Sequence, residues 1–406
     1  MKKTKILMIS DHAMTHSGVG VQSKHLIEGL VNTGNFKITQ LGATKNYQNF
    51  NINLINKDFK IIPCKGFGTK NEIRNLIKSE SPEALIIFSD SRFFNNIFEM
   101  SEEIRKNCPI VWWHVWDNRP TPHFNKSLYD AVDQINCIST LTYSMCKKVA
   151  QNKTSYIPHC LPSGMFYELK KENINKIKEN TLGKDKKDDF IVLWANRNCK
   201  RKRAADVLKS WQIFLFDLEE KYGHKNATLI MHTDPYDAFG PNLMKITESL
   251  EITDNVRFSS EIIGFEEMNA LHNISDVCIN IAYSEGFGLT TLEAMKVGKP
   301  IIVAETGGLV PQVINQKTLK VNGISIKPKV KVLSGNQEIP YIYEDYVDVS
   351  DVSKAIFEVY EWGKEKRKEV GNEAKRYVDE EFCYKVMINN WENSIYKTIE
   401  KWKTNK

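Results

Sequence analysis

The sequence predicts an α/β protein made of two Rossmann-like domains in succession, each a doubly wound parallel sheet. Three observations carry that prediction. At 406 residues the chain exceeds one ordinary core and fits two domains of about 150–200 residues. Its first part alternates short apolar runs with amphipathic stretches, the β-α-β rhythm of a parallel sheet. A densely charged break follows, and a second alternating series begins after it.

KILMIS (5–10) reads as the first strand. VQSKHLIEGLVNTG (21–34) sets Leu26, Ile27, Leu30 and Val31 on one helical face and closes on Gly34. Further strands are expected at KITQLGA (37–43), ALIIFS (84–89), IVWWHV (110–115) and INCIS (135–139). Residues 169–189 are charged with both signs and poor in large apolar side chains, the composition of a linker or a solvated surface helix. The second series runs through FIVLWANR (190–197), a helix in DVLKSWQIFLFDLEEKYG, then ATLIMHT (227–233), DVCINIAY (276–283) and PIIVAE (300–305). Near the C-terminus Tyr384, Ile388, Trp391, Ile395, Ile399 and Trp402 recur at spacings of three and four. That is a long amphipathic helix whose two tryptophans need a partner surface. The resulting boundaries are a first domain over 1–165, a linker over 166–188, a second domain over 189–380 and a terminal helix over 381–406. The chemistry is expected in a central cleft that the two parallel sheets face.

Composition narrows the classes. Hydrophobic residues make up 41% and charged residues 26%, which describes a globular chain. No apolar run reaches the roughly 18 residues of a membrane span. MKKTKILMISDH has only a short apolar segment, interrupted by Ser10, and reads as a strand rather than a signal peptide. The eight cysteines are scattered, without Cys-x-x-Cys or zinc spacing, so no structural metal is expected and a reducing cytoplasm is. A net charge of +6 suits acidic substrates or peripheral contact with an anionic membrane face, and is weak evidence for nucleic acid. Nothing in the pattern specifies an oligomeric state.

The most informative stretch is SEGFGLTTLEAM (284–295), which places Glu285 and Glu293 on either side of a glycine-bearing turn. Strand, turn and helix N-terminus together present backbone N–H groups and a positive dipole end, which suits an anionic diphosphate. A carboxylate on each side could accept hydrogen bonds from sugar hydroxyls, so the pattern points to a sugar-nucleotide site. Thr290-x-x-Glu293 equally satisfies a capping box, which leaves Glu293 open between cap and ligand. Glu285, at a strand's C-terminal end beside Gly286 and Gly288, sits where open α/β sheets bind ligands.

Other residues join it. WANRNCKRKR (194–203) ends the second domain's first strand, and Arg197 and Lys202 are the cations placed to neutralise a leaving diphosphate. Arg201 and Arg203 stay ambiguous between that role and a solvated basic patch. In the first β-α turn, SDHAMTHSGVG (10–20), Gly18 and Gly20 would let the backbone approach phosphate or sugar, although the full dinucleotide fingerprint is absent. His114, among three tryptophans in VWWHVWD (111–117), is either a core histidine or a cleft residue steadying charge at an anomeric carbon. Asp117 would orient it or contact an acceptor hydroxyl. Asp-x-Asp occurs nowhere, which favours metal-independent chemistry with cations and a helix dipole in place of Mg²⁺.

Together these segments resemble the retaining GT-B-fold glycosyltransferases of the family 4 type (glycosyl transferases group 1, with a Glu-x7-Glu motif). The resemblance runs through SGVG, IPHCL (157–161), ANRNCKRK and SEGFGLTTLEAMKVGKPIIVAETGGLVPQVI (284–314), with LIMHTDPYDAFGPNL (229–243) like one branch of the family. It implies an N-terminal acceptor side and a C-terminal donor side, with the terminal helix crossing back to the first domain. It makes Glu285 the carboxylate at the donor sugar and Glu293 the holder of the ribose hydroxyls. Arg197 and Lys202 would grip the diphosphate with the N–H groups of Phe287, Gly288, Leu289 and Thr290; Gly18 or Gly20 would approach the phosphate, His114 matches the cleft histidine, and the base would pack near Ile262 and Ile263. Cys160 stands where glycine is usual, and residues 328–346 look like an insertion. No cofactor is implied beyond a UDP- or GDP-linked sugar as donor substrate. Retention would follow from front-face attack, with the departing phosphate taking the acceptor's proton. The acceptor would be the hydroxyl of a glycan, a lipid-linked sugar or another molecule, modified DNA included. The same fold also serves sugar-nucleotide epimerases and proteins that bind nucleotide sugars without turnover.

Overall fold

A computed structural model describes residues 2–45 and 53–405 of the chain. Its first sheet contains β1 (Thr4–Asp11), β2 (Phe36–Ala43), β3 (Asn53–Asn56), β4 (Phe59–Cys64), β5 (Ala84–Ser89), β6 (Ile110–His114), β7 (Gln134–Cys137) and β8 (Thr154–Tyr156). They lie in the order β3-β4-β2-β1-β5-β6-β7-β8, parallel except for the β3–β4 pair. β5 and β6 are buried at every position. Helices on both faces of a parallel sheet require that, which is why these strands are continuous apolar runs rather than alternating ones. β4 and β8 lie outside the strands predicted from sequence: Pro63 interrupts FKIIPC, and TSY is only three residues long.

The second sheet is wholly parallel. It holds β9 (Phe190–Ala195), β10 (Ala227–His232), β11 (Val256–Ser259), β12 (Val277–Asn280), β13 (Ile301–Ala304) and β14 (Gly323–Ile326), ordered β11-β10-β9-β12-β13-β14. Alternate residues of β9 serve opposite faces. Val192 and Trp194 pack with Trp211, Phe214 and Ile356 under the Ala204–Tyr222 and Val349–Glu361 helices. Ile191 and Leu193 pack with Ile230, Leu271 and Ile274 on the other side. The order reverses between β9 and β12, and ligands of open α/β sheets bind beyond the strand ends at such a switch point.

Chain contacts divide the molecule into two units. One is Met1–Pro162 with Gly335–Ile342 and Phe382–Lys406; the other is Ser163–Ser334 with Tyr343–Glu381. The charged stretch 169–189 contains a helix, Lys171–Leu182, and belongs to the second unit. Leu182 is buried there and Ile174 and Ile177 pack beside it. Within 328–346 lies a two-stranded ribbon of β15 (Val330–Ser334) and β16 (Ile342–Tyr346).

The C-terminal helix, Tyr384–Thr404, completes the first unit's core. Trp391 is fully buried and meets Trp113 edge-on at 5.2 Å between ring centres. Gly29 lies beneath Ile388, where a Cβ would collide with the isoleucine side chain. Tyr384 Oη donates to the His25 carbonyl at 2.6 Å, and Trp402 Nε1 donates to the Arg105 carbonyl at 2.8 Å. Trp402→Phe keeps most of the packing but removes that donor, so chemical denaturation should register a loss of about 1 kcal/mol. Among the described residues no helix is long and apolar enough to cross a membrane.

Candidate functional site

Beyond β12 the chain runs from Ile281 to Gly288 and enters the Leu289–Lys296 helix. Gly288 is the N-cap, in the left-handed region at φ 93°, where a side chain would also strike Leu309. The turn is braced from behind by the GGLVPQ segment. Gly308 N–H donates to the Glu285 carbonyl at 2.7 Å, and a Cβ on Gly308 would collide with the Gly286 carbonyl. Gln312 Nε2 donates to the Phe287 and Gly288 carbonyls at 2.7 and 3.0 Å, while its Oε1 accepts from Thr291 Oγ1 at 2.7 Å. These bonds consume carbonyls and leave the opening turn's N–H groups without intrahelical acceptors, as at any helix start.

Glu285 is only 8% exposed. Its Oε2 accepts from Arg201 Nη1 at 3.2 Å and from Lys202 Nζ, and Arg201 Nη1 also donates to the Ser284 carbonyl at 2.6 Å. Both cations lie on the connection after β9, so the switch point between β9 and β12 brings the three charges together. Burial alone would push the Glu285 carboxyl up, but the charges of Lys202 and Arg201 outweigh it and hold it down at about 2. It is a buried carboxylate that carries its charge because two cations face it.

The sequence names Arg197 with Lys202; the structure gives Lys202 a different companion. Arg197 spans Asp237 through Nε at 2.6 Å and Nη2 at 3.2 Å, lies 4.5 Å from the Phe239 ring centre and has a 56% exposed side chain. Arg201, ambiguous in the sequence, is the second cation on Glu285. Arg203 serves the backbone: it donates to the Val347 carbonyl at 3.0 Å and pairs with Asp206 at 2.8 Å.

Glu293 does not cap. The helix begins at Leu289 behind a glycine, so Thr290 is not the N-cap and no capping box forms. Glu293 Oε2 instead meets Nε2 of His272, a fully buried residue on the Phe265–Ile274 helix, at 3.1 Å. Ile263, partly buried, packs beside Leu271 and Ile274 in the loop after β11, while Ile262 stands 76% exposed.

In the first unit Gly18 is exposed and opens the Gly18–Asn32 helix. Gly20 is taken up by packing, since a Cβ there would collide with Thr15 Oγ1. His114 occupies the core position of the two left open by sequence. It has no exposed surface, its Nε2 lies 3.0 Å from Tyr129 Oη, and Trp112 and Trp116 flank the ring at 4.1 and 6.0 Å. Asp117 is half-buried in the loop after β6. Among the described residues no group of three or more His, Cys, Asp or Glu side chains is placed to hold a metal ion.

Comparison with known proteins bears on this site. Residues 176–376 match the family described as Glycosyl transferases group 1, a range that contains Arg197, Arg201, Lys202, Glu285 and Glu293. The chain carries a glycosyl transferases group 1 domain. Apart from 335–342, that range belongs to the second unit. A D-inositol 3-phosphate glycosyltransferase of Salinispora arenicola is 39% identical over 75 residues, 18% of this chain and 16% of that protein. Trehalose synthase of Pyrococcus horikoshii is 28% identical over 228 residues, 53% of this chain and 52% of that protein. The chain thus spans at most about half of these curated relatives. Among solved structures, sucrose-phosphate synthase from Thermosynechococcus elongatus superposes with a TM-score of 0.75 at 15% identity, covering 98% of this chain and 100% of that one. Anabaena HepE in complex with UDP-glucose gives 0.71 at 14% identity, covering 98% and 99%. The fold shared with these neighbours is GT-B, with two Rossmann-like domains.

Arg201, Gln312, Gly308 and His272 contact the segment that carries Glu285 and Glu293, and sequence reasoning missed them or left them undecided. A Gly-Gly pair followed by a buried glutamine after β13 is a usable signal for the brace. His272 has none, being a single histidine on a helix whose partner is distant in sequence.

Proposed function

We propose that the chain is a retaining, metal-independent glycosyltransferase of the family 4 type, moving a sugar from a nucleoside diphosphate sugar to an acceptor hydroxyl. One observation carries the reading: a buried carboxylate, Glu285, held by Arg201 and Lys202 at the switch point, beside a braced turn that opens a helix. Two cations on one carboxylate form a site already arranged for a doubly charged ligand. An incoming diphosphate takes Arg201 and Lys202 as partners and receives N–H groups from Gly288, Leu289 and Thr290. Glu285, released from them, accepts hydrogen bonds from the donor sugar's hydroxyls. As the glycosidic bond breaks, the cations neutralise the leaving diphosphate, and its oxygen takes the acceptor's proton on the same face. Glu293 holds the ribose, and the base packs by Ile263. His114, enclosed by Tyr129 and tryptophans, acts by supporting β6. The donor is UDP- or GDP-linked, in keeping with the UDP-glucose complex of HepE. The acceptor is a saccharide hydroxyl, free or lipid-linked, and the sugar-joining names of the relatives support the saccharide part of that reading.

The test is turnover across UDP- and GDP-sugars with saccharide acceptors, read by NMR at the anomeric proton. Glu285→Gln should lower kcat by about 10²–10³-fold with little change in nucleoside diphosphate affinity. Inverted product sinks the retaining mechanism. Conversion of the donor's sugar with no acceptor present identifies an epimerase instead.

A further inference from the structure

The pair formed by His272 and Glu293 is unexplained by the chemistry at Glu285. His272 has no exposed surface, and Nε2 meets Glu293 Oε2 at 3.1 Å while Nδ1 is buried without a hydrogen-bond partner. That fixes the tautomer. A proton on Nδ1 would be stranded, whereas a proton on Nε2 is donated to the carboxylate and leaves only an unfilled lone pair inside. The imidazole is itself held firmly. Phe166 packs edge-on against it at 5.7 Å between ring centres. Two asparagines of the same helix anchor that helix to the chain entering the second unit. Asn269 Oδ1 accepts from Tyr167 N–H at 3.1 Å; Asn273 accepts from Leu169 N–H at 2.8 Å and donates to the Tyr167 carbonyl at 2.9 Å. Lys299 Nζ adds a bond to the Asn273 carbonyl at 2.8 Å. A carboxylate with two equivalent oxygens is thereby made unequal: one is tied to a fixed donor, and Oε1 is left for a ligand on a side chain that is 15% exposed.

We propose that His272 is a positioning residue that locks Glu293 so that Oε1 accepts from the ribose 2′-hydroxyl, making the site selective for ribonucleotide over 2′-deoxyribonucleotide donors. This rests on the reading of the second unit as the donor side. A carboxylate free to rotate could pair with water or with a single 3′-hydroxyl, and would discriminate poorly. One whose second oxygen is already committed pays desolvation without return when the 2′-hydroxyl is missing.

Calorimetric titration of the full chain with UDP, 2′-deoxy-UDP, GDP and 2′-deoxy-GDP tests the inference. The native protein should bind the ribonucleotide about tenfold or more tightly than its deoxy counterpart. His272→Leu should bring that ratio to within about twofold by weakening only the ribonucleotide, and Glu293→Gln should do the same. His272→Gln, whose amide can still donate, should keep part of the preference, and it serves as the second variant if the leucine protein does not fold. A purely structural role for His272 would weaken both nucleotides together and leave the ratio unmoved. The inference is overturned if His272→Leu retains native discrimination, or if the native protein binds UDP or GDP without preferring ribose. Failure of every nucleoside diphosphate to bind overturns instead the donor reading beneath it.

Discussion

Lys202→Ala is expected to lower nucleoside diphosphate affinity by about 10–100-fold and to destabilise the free protein by about 3 kcal/mol. Both losses have one origin. Glu285 is charged in a buried setting only because Lys202 and Arg201 face it, so removing Lys202 strands a carboxylate whose desolvation nothing else offsets fully. Breaking one half of a buried ion pair costs about 3–5 kcal/mol, and the lower end applies because Arg201 Nη1 remains at 3.2 Å. Its carboxyl should then titrate well above about 2, visible by carbon-detected NMR. The sign can be checked with a second change. Lys202→Ala combined with Glu285→Gln should recover most of the stability in urea denaturation, because no buried charge remains, yet should not recover diphosphate binding. Arg197→Ala is the counter-test, since its guanidinium is committed to Asp237 at the surface. If Arg197→Ala weakens diphosphate binding more than Lys202→Ala, the phosphate cations have been assigned to the wrong side chains.

The second large effect is loss of stability in mild acid, originating in the first unit. His25 and His159 are 4% and 5% exposed. Burial, helped by Lys24, pushes His25 down to about 4; burial, helped by His25, pushes His159 down to about 3. In the unfolded chain both return to about 6.5. A histidine whose folded value is depressed contributes stability above its unfolded value and loses it as pH falls, because the unfolded state binds the proton first. The window therefore opens near pH 6.5 and closes near 4 for His25 and near 3 for His159. Between pH 7 and 5 each histidine should cost about 2 kcal/mol. Glu285 is also depressed, but a carboxylate loses its contribution only below its unfolded value near 4.5, so it is silent in this interval. Denaturation midpoints measured at pH 7, 6 and 5 should fall steadily, and His25→Gln should lessen the slope.

How much of this was legible in the sequence differs residue by residue. Parallel strands buried on both faces advertise themselves, and ALIIFS, IVWWH and FIVLWA are visible as runs. β8 and β11 are not, being three and four residues long and only partly buried. Glu285 stands out in the sequence because a carboxylate beside glycines at a strand end has few structural explanations. Which cations pair with it does not. Arg197, Arg201 and Lys202 lie within six positions on an irregular connection, where no period of 2 or 3.6 dictates which way a side chain points. The capping box at Thr290 was a false equivalence for a related reason: the motif is satisfied by composition, whereas the cap is decided by where the backbone turns helical, and Gly288 at φ 93° begins the helix two residues too early for it. His272 could not be found at all, since its meaning lies in a contact across 21 positions of sequence.

The C-terminal helix has a consequence for how the protein is made. Trp391 and Ile388 pack against Trp113 and Gly29, residues that leave the ribosome about 280 and 360 positions sooner. The second unit's sheet and its covering helices are synthesised in between. During translation the earlier half must therefore wait, with an apolar groove uncovered, while the later half has every strand it needs. The order of completion is expected to run against the order of synthesis, and a released chain truncated before Phe382 should present a finished second unit beside a first unit still reliant on chaperones.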